Sequence, residues 1–330
     1  MNKEFGNMRT GVIGIGSMGQ NHARIYSEIS NLVGVSDLDE KQGNEIAKKY
    51  GTAYFPNFKD MVGKVDAVSI AVPTTFHYSI AKEFADSGVH ILVEKPLAPS
   101  SDEAKKIIDV SNANGIVLSV GHIERHNEVI KYAKKSLQEG KWGNLISLSA
   151  RRFSSFPSRI RDVGVVFDLT IHDVDILSHL ANSKISSIFA YGGNFMNQDY
   201  EDHVVLSMKF NNEVVGLCET NWLTPIKIRD ISITTDKYFI IVDYIEQEIK
   251  TFKSDFSKVD KSNLFQPKVN LEQELIKLDK IEPLKSEIID FLKSIKLKKK
   301  PLVTGIQGLE AVQIVEKALE SMNVGKKINI

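Results

Sequence analysis

From Thr10 to about Val120 the chain alternates between short runs that are apolar at successive positions and longer segments with helical periodicity. The runs "TGVIGI", "LVGVSD", "DAVSIAV", "VHILVE" and "IVLSVG" lack the in-and-out alternation of a half-solvated strand, so they predict strands buried on both faces. Between them "MGQNHARIYSEI", "EKQGNEIAKKY", "FHYSIAKEFADSG" and "SDEAKKIIDVSNANG" predict helices. The last opens with a capping-box spacing from Ser100 to Glu103 and closes at Gly115. Strand and helix in alternation predict an α/β domain, a doubly wound parallel sheet with helices on both faces.

Beyond Asn127 the rhythm changes. Helices are predicted around Val129 to Glu139 and Asp168 to Ala181. Strands then follow without intervening helices, in "SSIFAYGG", "DHVVLSMKF", "EVVGLCETNW", "DISITTDKYFIIVD" and "QEIKTFK". Such a run predicts an α+β second domain built on a large, mostly antiparallel open sheet. Residues 250–282 are polar enough to be a long excursion, and "GIQGLEAVQIVEKALESM" predicts a closing helix. The division expected is 1–123 for the first domain and 124–330 for the second.

Composition narrows the classes of function. With 42 basic and 42 acidic residues in 330, the chain carries no net field to hold nucleic acid or an anionic membrane. The basic "KLKKKP" reads as a solvated helix end or loop. A single cysteine, Cys218, permits no intrachain disulfide, and the N-terminus has no secretory apolar region. No apolar run approaches the roughly 18 residues of a membrane span. A soluble cytoplasmic protein without a nucleic-acid or membrane partner is expected.

The first predicted strand runs into "GIGSMG", where Gly14, Gly16 and Gly19 spell G-x-G-x-x-G at a strand-to-helix turn. The first glycine allows the turn, the second lets backbone approach a pyrophosphate, and the third lets helix pack on strand. The helix N-terminus offers N–H groups to the phosphates, so Gly14, Ile15, Gly16, Ser17, Met18 and Gly19 are the expected cradle of a dinucleotide. Asp37 ends the second strand about twenty residues on, where its carboxylate would accept from ribose hydroxyls. Leu38 and Asp39 follow it instead of an arginine, which favours NAD over NADP. Capping of the next helix is the other reading of Asp37.

Open parallel sheets bind ligands beyond the carboxyl ends of their strands. Thr74 and His77 of "PTTFH", with Glu94 and Lys95 of "EKP", are therefore expected beside the nicotinamide. A lysine there can donate to a substrate hydroxyl and stabilise the alkoxide that develops as hydride leaves. In "FDLTIHDVDIL", Asp168 and His172 stand four apart on one predicted helix face, and the imidazole can take the hydroxyl proton while the carboxylate orients it. A helix pair without function is the alternative. Arg152, Arg159 and Arg161, with Arg151, could match the oxygens of a diphosphate bidentately. Neither His172, Asp175 and His179 nor His122, Glu124 and His126 follow a recognised metal pattern, and no metal is expected.

These motifs together resemble the glucose–fructose oxidoreductase and inositol dehydrogenase family, Gfo/Idh/MocA. The resemblance rests on "GIGSMG", "EKPL", Arg125 and Asn127 as "R-x-N", Asp168 and His172 as "D-x-x-x-H", and the tail "ESMNVGKKINI". It implies a Rossmann domain, a C-terminal domain for substrate binding and oligomerisation, oxidation of a sugar or cyclitol hydroxyl, a catalytic Lys95 and a basic His172. It also places Arg125 and Asn127 at the substrate. More narrowly, "FPSRIRDVGVVFDLTIHDVDIL" is similar to UDP-N-acetylglucosamine 3-dehydrogenases, which form a 3-keto nucleotide sugar. A free sugar or inositol is the alternative substrate, and an NAD-sensing regulator the alternative class. A homodimer or homotetramer is expected from the apolar meander strands.

Overall fold

The computed structural model describes residues 3–156, 163–196, 199–254 and 271–330. Contacts divide the chain into two units, residues 1–126 with 282–313, and residues 127–281 with 314–330.

The first unit is a six-stranded parallel sheet. Its elements are β1 (Phe5–Ile13), α1 (Ser17–Ile29), β2 (Ser30–Ser36), α2 (Glu40–Tyr50), β3 (Ala53–Phe55), β4 (Ala67–Ile70), α3 (His77–Asp86), β5 (His90–Glu94), α4 (Ser101–Ala113) and β6 (Leu118–Gly121). Strand order is β3-β2-β1-β4-β5-β6, so the order reverses between β1 and β4, where such sheets bind ligands. One core packs the sheet against Ile80 and Phe84 of α3 and Ile107 of α4. The other packs it against Ile25 and Tyr26 of α1 and Ile46 of α2. The apolar runs are apolar throughout because both faces of each strand are covered.

The second unit begins with α5 (Glu128–Gln138), β7 (Leu145–Ser155) and α6 (Ile171–Ala181). It continues with β8 (Ile185–Gly193), β9 (His203–Phe210), β10 (Val215–Asn221), β11 (Leu223–Thr235), β12 (Tyr238–Asp243), β13 (Glu248–Ser254) and β14 (Leu271–Lys277). The chain then forms α7 (Pro283–Leu297), α8 (Gly305–Val324) and the short β15 (Ile328–Asn329). The nine-stranded sheet has the order β14-β13-β12-β11-β7-β10-β9-β8-β15 and is antiparallel except where β7 pairs with β10. Register puts Ala190, Leu206, Cys218, Ala150 and Ile231 in one buried row. Tyr191, Val205, Val215 and Leu217 lie on the opposite face, where they are exposed in the single chain.

Several elements depart from the sequence reading. β7 is absent from the predicted strands because its polar face, Ser147, Ser149 and Arg151, interrupts the apolar pattern; it is a central strand. β14 lies within the expected polar excursion and is a charged, mostly exposed edge strand, a composition that discourages edge-to-edge pairing. The helix expected from Asp168 starts as a π-helical turn, Val166–Thr170, before α6. The expected division at 123/124 also changes. α7 returns to the first unit because Leu284, Ile288, Phe291 and Leu292 form one apolar stripe against the α1 side of the sheet. α8 has its first turns in the first unit and the remainder in the second.

The stripe on α7 gives a direct test. Phe291 is fully buried, so Phe291→Ala should lower the unfolding free energy of the first unit by about 3–4 kcal/mol in denaturant titration. A loss under about 1 kcal/mol would mean that α7 is not part of that core.

Candidate active site

The carboxyl ends of β1, β2, β4 and β5 bring the glycine loop, Asp37, Thr74 and the "EKP" turn to one edge of the sheet in the first unit. Gly14 has φ +84°, and a Cβ there would lie 2.5 Å from the Ala71 carbonyl oxygen. A Cβ on Gly19 would lie 1.8 Å from the Gly14 carbonyl oxygen, so α1 can approach β1 only through a glycine. Gly16 differs: an added Cβ would meet nothing within 4 Å. The N-terminus of α1 has neither a capping side chain nor an acidic residue in its first turn. Open space beside uncapped N–H groups is what a pyrophosphate requires. The Asp37 carboxylate accepts from Ile15 N at 2.6 Å and Asp39 N at 2.8 Å, which ties the end of β2 to the glycine loop. The residues present therefore fit a dinucleotide with a free ribose 2′-hydroxyl.

Pairing of β5 with its neighbours stops at Val93 and Glu94, and Lys95 projects, half-buried, from the turn that follows. Glu94 is 12% exposed. Its Oε1 accepts from His22 Nε2 at 2.9 Å, and its Oε2 lies 3.3 Å from Lys95 N. His22 Nδ1 pairs at 2.9 Å with the Ser69 hydroxyl, which also meets the Tyr26 hydroxyl at 2.8 Å. Burial pushes the Tyr26 phenol well up, so it remains an O–H donor. Burial also pushes the Glu94 carboxyl up, but the His22 hydrogen bond, attraction to His22 and Lys95 and the Lys95 N–H outweigh it and hold Glu94 below the usual carboxylate range.

Glu287 of α7 completes a buried cluster, its ligating atom within 4.8 Å of those of His22 and Glu94. Burial first, then repulsion from Glu94 and Asp290, drive its carboxyl well above the ordinary range. Of two neighbouring buried carboxyls, Glu94 is the anion and Glu287 the neutral acid.

His77 was expected at the cofactor and is instead 1% exposed inside the first unit. Its Nδ1 lies 3.0 Å from Pro96 O and 3.2 Å from Leu97 O, and its Nε2 lies 3.0 Å from Val72 O. Burial lowers the imidazole pKa against the pull of these carbonyls and of Glu94. Thr74 is buried in the short 3-10 turn after β4.

In the second unit Asp168 lies in the π-helical turn and His172 in the first turn of α6, both half-buried among buried neighbours. A π turn widens the helix locally, a feature frequent at functional sites. Thr170, between them, pins the turn to the sheet through a 2.6 Å hydrogen bond between its hydroxyl and that of Thr220 on β10.

The arginine expectations need correction. Arg152 is 1% exposed and ion-paired with Asp173, Nε to Oδ1 at 3.0 Å and Nη2 to Oδ1 at 2.9 Å, with its guanidinium over the Tyr244 ring. A buried pair of this kind is committed to the fold, because removing either partner strands the other charge. Arg151 is bound through Nε and Nη2 to Asp230. Arg159 and Arg161 lie outside the described residues. Asn127 is also structural: its side chain accepts from Val129 N at the start of α5 and donates to Tyr244 O. Arg125 is buried in the turn after β6. Sequence reasoning missed His22, Tyr26, Ser69 and Glu287. The only trace of the first was a histidine on the buried face of the helix that opens the glycine motif.

Among the described residues no helix is long and apolar enough to cross a membrane. Residues 8–122 match an oxidoreductase family with an NAD-binding Rossmann fold, and residues 130–240 match the Gfo/Idh/MocA C-terminal domain. The chain is 30% identical over 302 residues to a UDP-N-acetylglucosamine 3-dehydrogenase of Acidithiobacillus ferrooxidans, covering 91% of this chain and 93% of that protein. A solved structure of a UDP-N-acetylglucosamine 3-dehydrogenase from that organism superposes with a TM-score of 0.87 at 29% identity, covering 96% of this chain and 98% of the other. A scyllo-inositol 2-dehydrogenase of Bacillus subtilis is 24% identical, with 98% of this chain and 96% of that protein covered.

Two tests follow from this geometry. Gly16→Ala should keep the melting temperature within about 2 °C yet weaken NAD tenfold or more by calorimetric titration, whereas Gly19→Ala should fail to fold normally. Unchanged NAD affinity in folded Gly16→Ala would remove the phosphate cradle from that loop. For Glu287 the folded state binds the proton more tightly than the unfolded chain. Its stabilising effect is complete below the ordinary carboxylate pKa and is lost as pH rises toward the folded value. Glu287→Gln, a mimic of the neutral acid, should therefore match the wild-type melting temperature near pH 4 and exceed it by about 2–4 °C at pH 8. A lower melting temperature at pH 8 would show an anionic Glu287 held by a cation.

Proposed function

The chain belongs to the Gfo/Idh/MocA oxidoreductase family, and from that membership we propose that it oxidises the 3-hydroxyl of UDP-N-acetylglucosamine with NAD, forming the 3-keto nucleotide sugar. NAD-dependent dehydrogenation of a sugar hydroxyl is the family's activity. The observation that supports this substrate is identity with a UDP-N-acetylglucosamine 3-dehydrogenase over nearly the full length of both chains. A second reading, a free sugar or inositol, is favoured by the similarity to scyllo-inositol 2-dehydrogenase.

Bound NAD supplies the hydride acceptor. Lys95, at the end of β5, donates to the reacting oxygen and stabilises its developing negative charge. His172 takes the hydroxyl proton as the carbon loses hydride and the C–O bond becomes C=O, and Asp168, one turn earlier, orients the imidazole. Asp37 receives the adenosine ribose and the glycine loop receives the pyrophosphate. Arg125, Arg159 and Arg161 are the proposed candidates for the substrate's charged groups.

The exposed apolar residues on one face of the nine-stranded sheet support assembly into a homodimer or homotetramer.

Lys95→Ala and His172→Ala should each lower kcat about a hundredfold or more with UDP-N-acetylglucosamine and NAD, followed by absorbance of the reduced cofactor. Wild-type turnover in either variant would refute its role. If only a free sugar or inositol reduced NAD, the second reading would stand. Light scattering should give at least twice the chain mass, and Leu217→Glu should shift it toward the monomer; a wild-type monomer at micromolar concentration would rule out the assembly.

A further inference from the structure

Lys95 sits where the sheet stops helping. Pairing in the ladder ends at Val93 on one side of β5 and at Glu94 on the other, so residues 95–97 leave the sheet without ladder hydrogen bonds. A lysine has four side-chain torsions, and a drifting backbone beneath it would spread its ammonium over several ångströms. Resting on the catalytic reading of Lys95, we propose that the buried histidines His22 and His77 are positioning residues that fix Lys95 relative to the glycine loop by gripping the Glu94–Leu97 turn from its two ends.

The first grip runs through α1. This helix starts at the glycine loop, and three residues past Gly19 it presents His22, which is 0% exposed. His22 donates from Nε2 to Glu94 Oε1, immediately before Lys95. Its orientation is set from behind by Ser69 on β4, itself bonded to Tyr26 on the same helix. A shift of α1 is therefore transmitted to Glu94.

The second grip runs through the segment that follows β4. Residues Ala71 and Val72 lie against Gly14, whose added Cβ would meet the Ala71 carbonyl and the Val72 side chain. The His77 ring stands between the Val72 carbonyl and those of Pro96 and Leu97, immediately after Lys95. The neutral ring carries one N–H, so it donates to the carbonyl on one side and packs as a rigid spacer against the other, which sets the separation of the two backbone segments. Both routes begin at the dinucleotide cradle and end on a neighbour of Lys95. Displacing a reacting group by about 1 Å can cost on the order of a hundredfold in rate.

The test is a double-mutant cycle. His22→Ala and His77→Ala are made in the wild type and in Lys95→Ala, with UDP-N-acetylglucosamine, or whichever free sugar or inositol reduces NAD, as substrate. Each single variant should fold, bind NAD within about threefold of wild type, and lose about tenfold to a hundredfold in kcat. His22→Gln, which keeps a donor near the Nε2 position, should recover most of the loss. In Lys95→Ala the histidine changes should lower the residual rate no further, because their effect passes through the lysine. Equal losses in both backgrounds would overturn the proposal, as would full kcat in the single variants. If an alanine variant does not fold, His22→Gln and His77→Asn enter the same cycle with the same criterion. Lys95→Ala at wild-type rate would instead refute the catalytic reading of Lys95.

Discussion

A carboxylate that ends a buried strand must find a partner, and much of the first unit is arranged around that requirement. Glu94 leaves β5 within an apolar layer, where an unpaired anion would be unsustainable. His22 supplies the partner, and the hydroxyls of Ser69 and Tyr26 hold His22 in turn. Glu287 stands beside the pair and takes a proton instead of a second charge. The same anion lies one residue before the proposed oxyanion stabiliser, so a requirement of folding also fixes where Lys95 begins.

The cofactor loop obeys a second steric constraint that meets the first. Gly14 and Gly19 exist because the Ala71 backbone after β4 and the Gly14 carbonyl occupy the space a side chain would need, whereas Gly16 faces open space. Two glycines are thus required by the protein itself, and the third is the one the proposed dinucleotide would require. Asp37 reaches back to the N–H of Ile15, so the two ends of the expected dinucleotide site are tied together before anything binds.

Much of this was legible from the residues. Strands buried on both faces announce themselves by unbroken apolar runs, and strand alternation with helices placed Gly14, Asp37, Thr74, Glu94 and Lys95 on one sheet edge. What escaped depended on partners distant in sequence. β7 is central yet carries serines and an arginine on its open face, so its pattern resembles a polar connection. α7 has no counterpart among the predicted helices, and nothing local says that its apolar stripe packs against the sheet of the first unit. Arg152 fits a substrate role by type and Asn127 by the family resemblance, but burial against Asp173 and at the start of α5 commits them to the fold. His77 sits at the right strand end for a cofactor contact, and only the three surrounding carbonyls reveal a clamp. In the second unit the spacing of Asp168 and His172 was visible, while the π turn was not, because it is set by how the chain meets β10.

The central claim is hydride transfer from a defined sugar carbon to NAD. The most direct measurement uses UDP-N-acetylglucosamine carrying deuterium at C3 of the sugar, with mass spectrometry of the reduced cofactor. The account predicts one deuterium in the reduced cofactor and a 3-keto nucleotide sugar that has lost its label. An unlabelled reduced cofactor, or a product that keeps deuterium at C3, would contradict it.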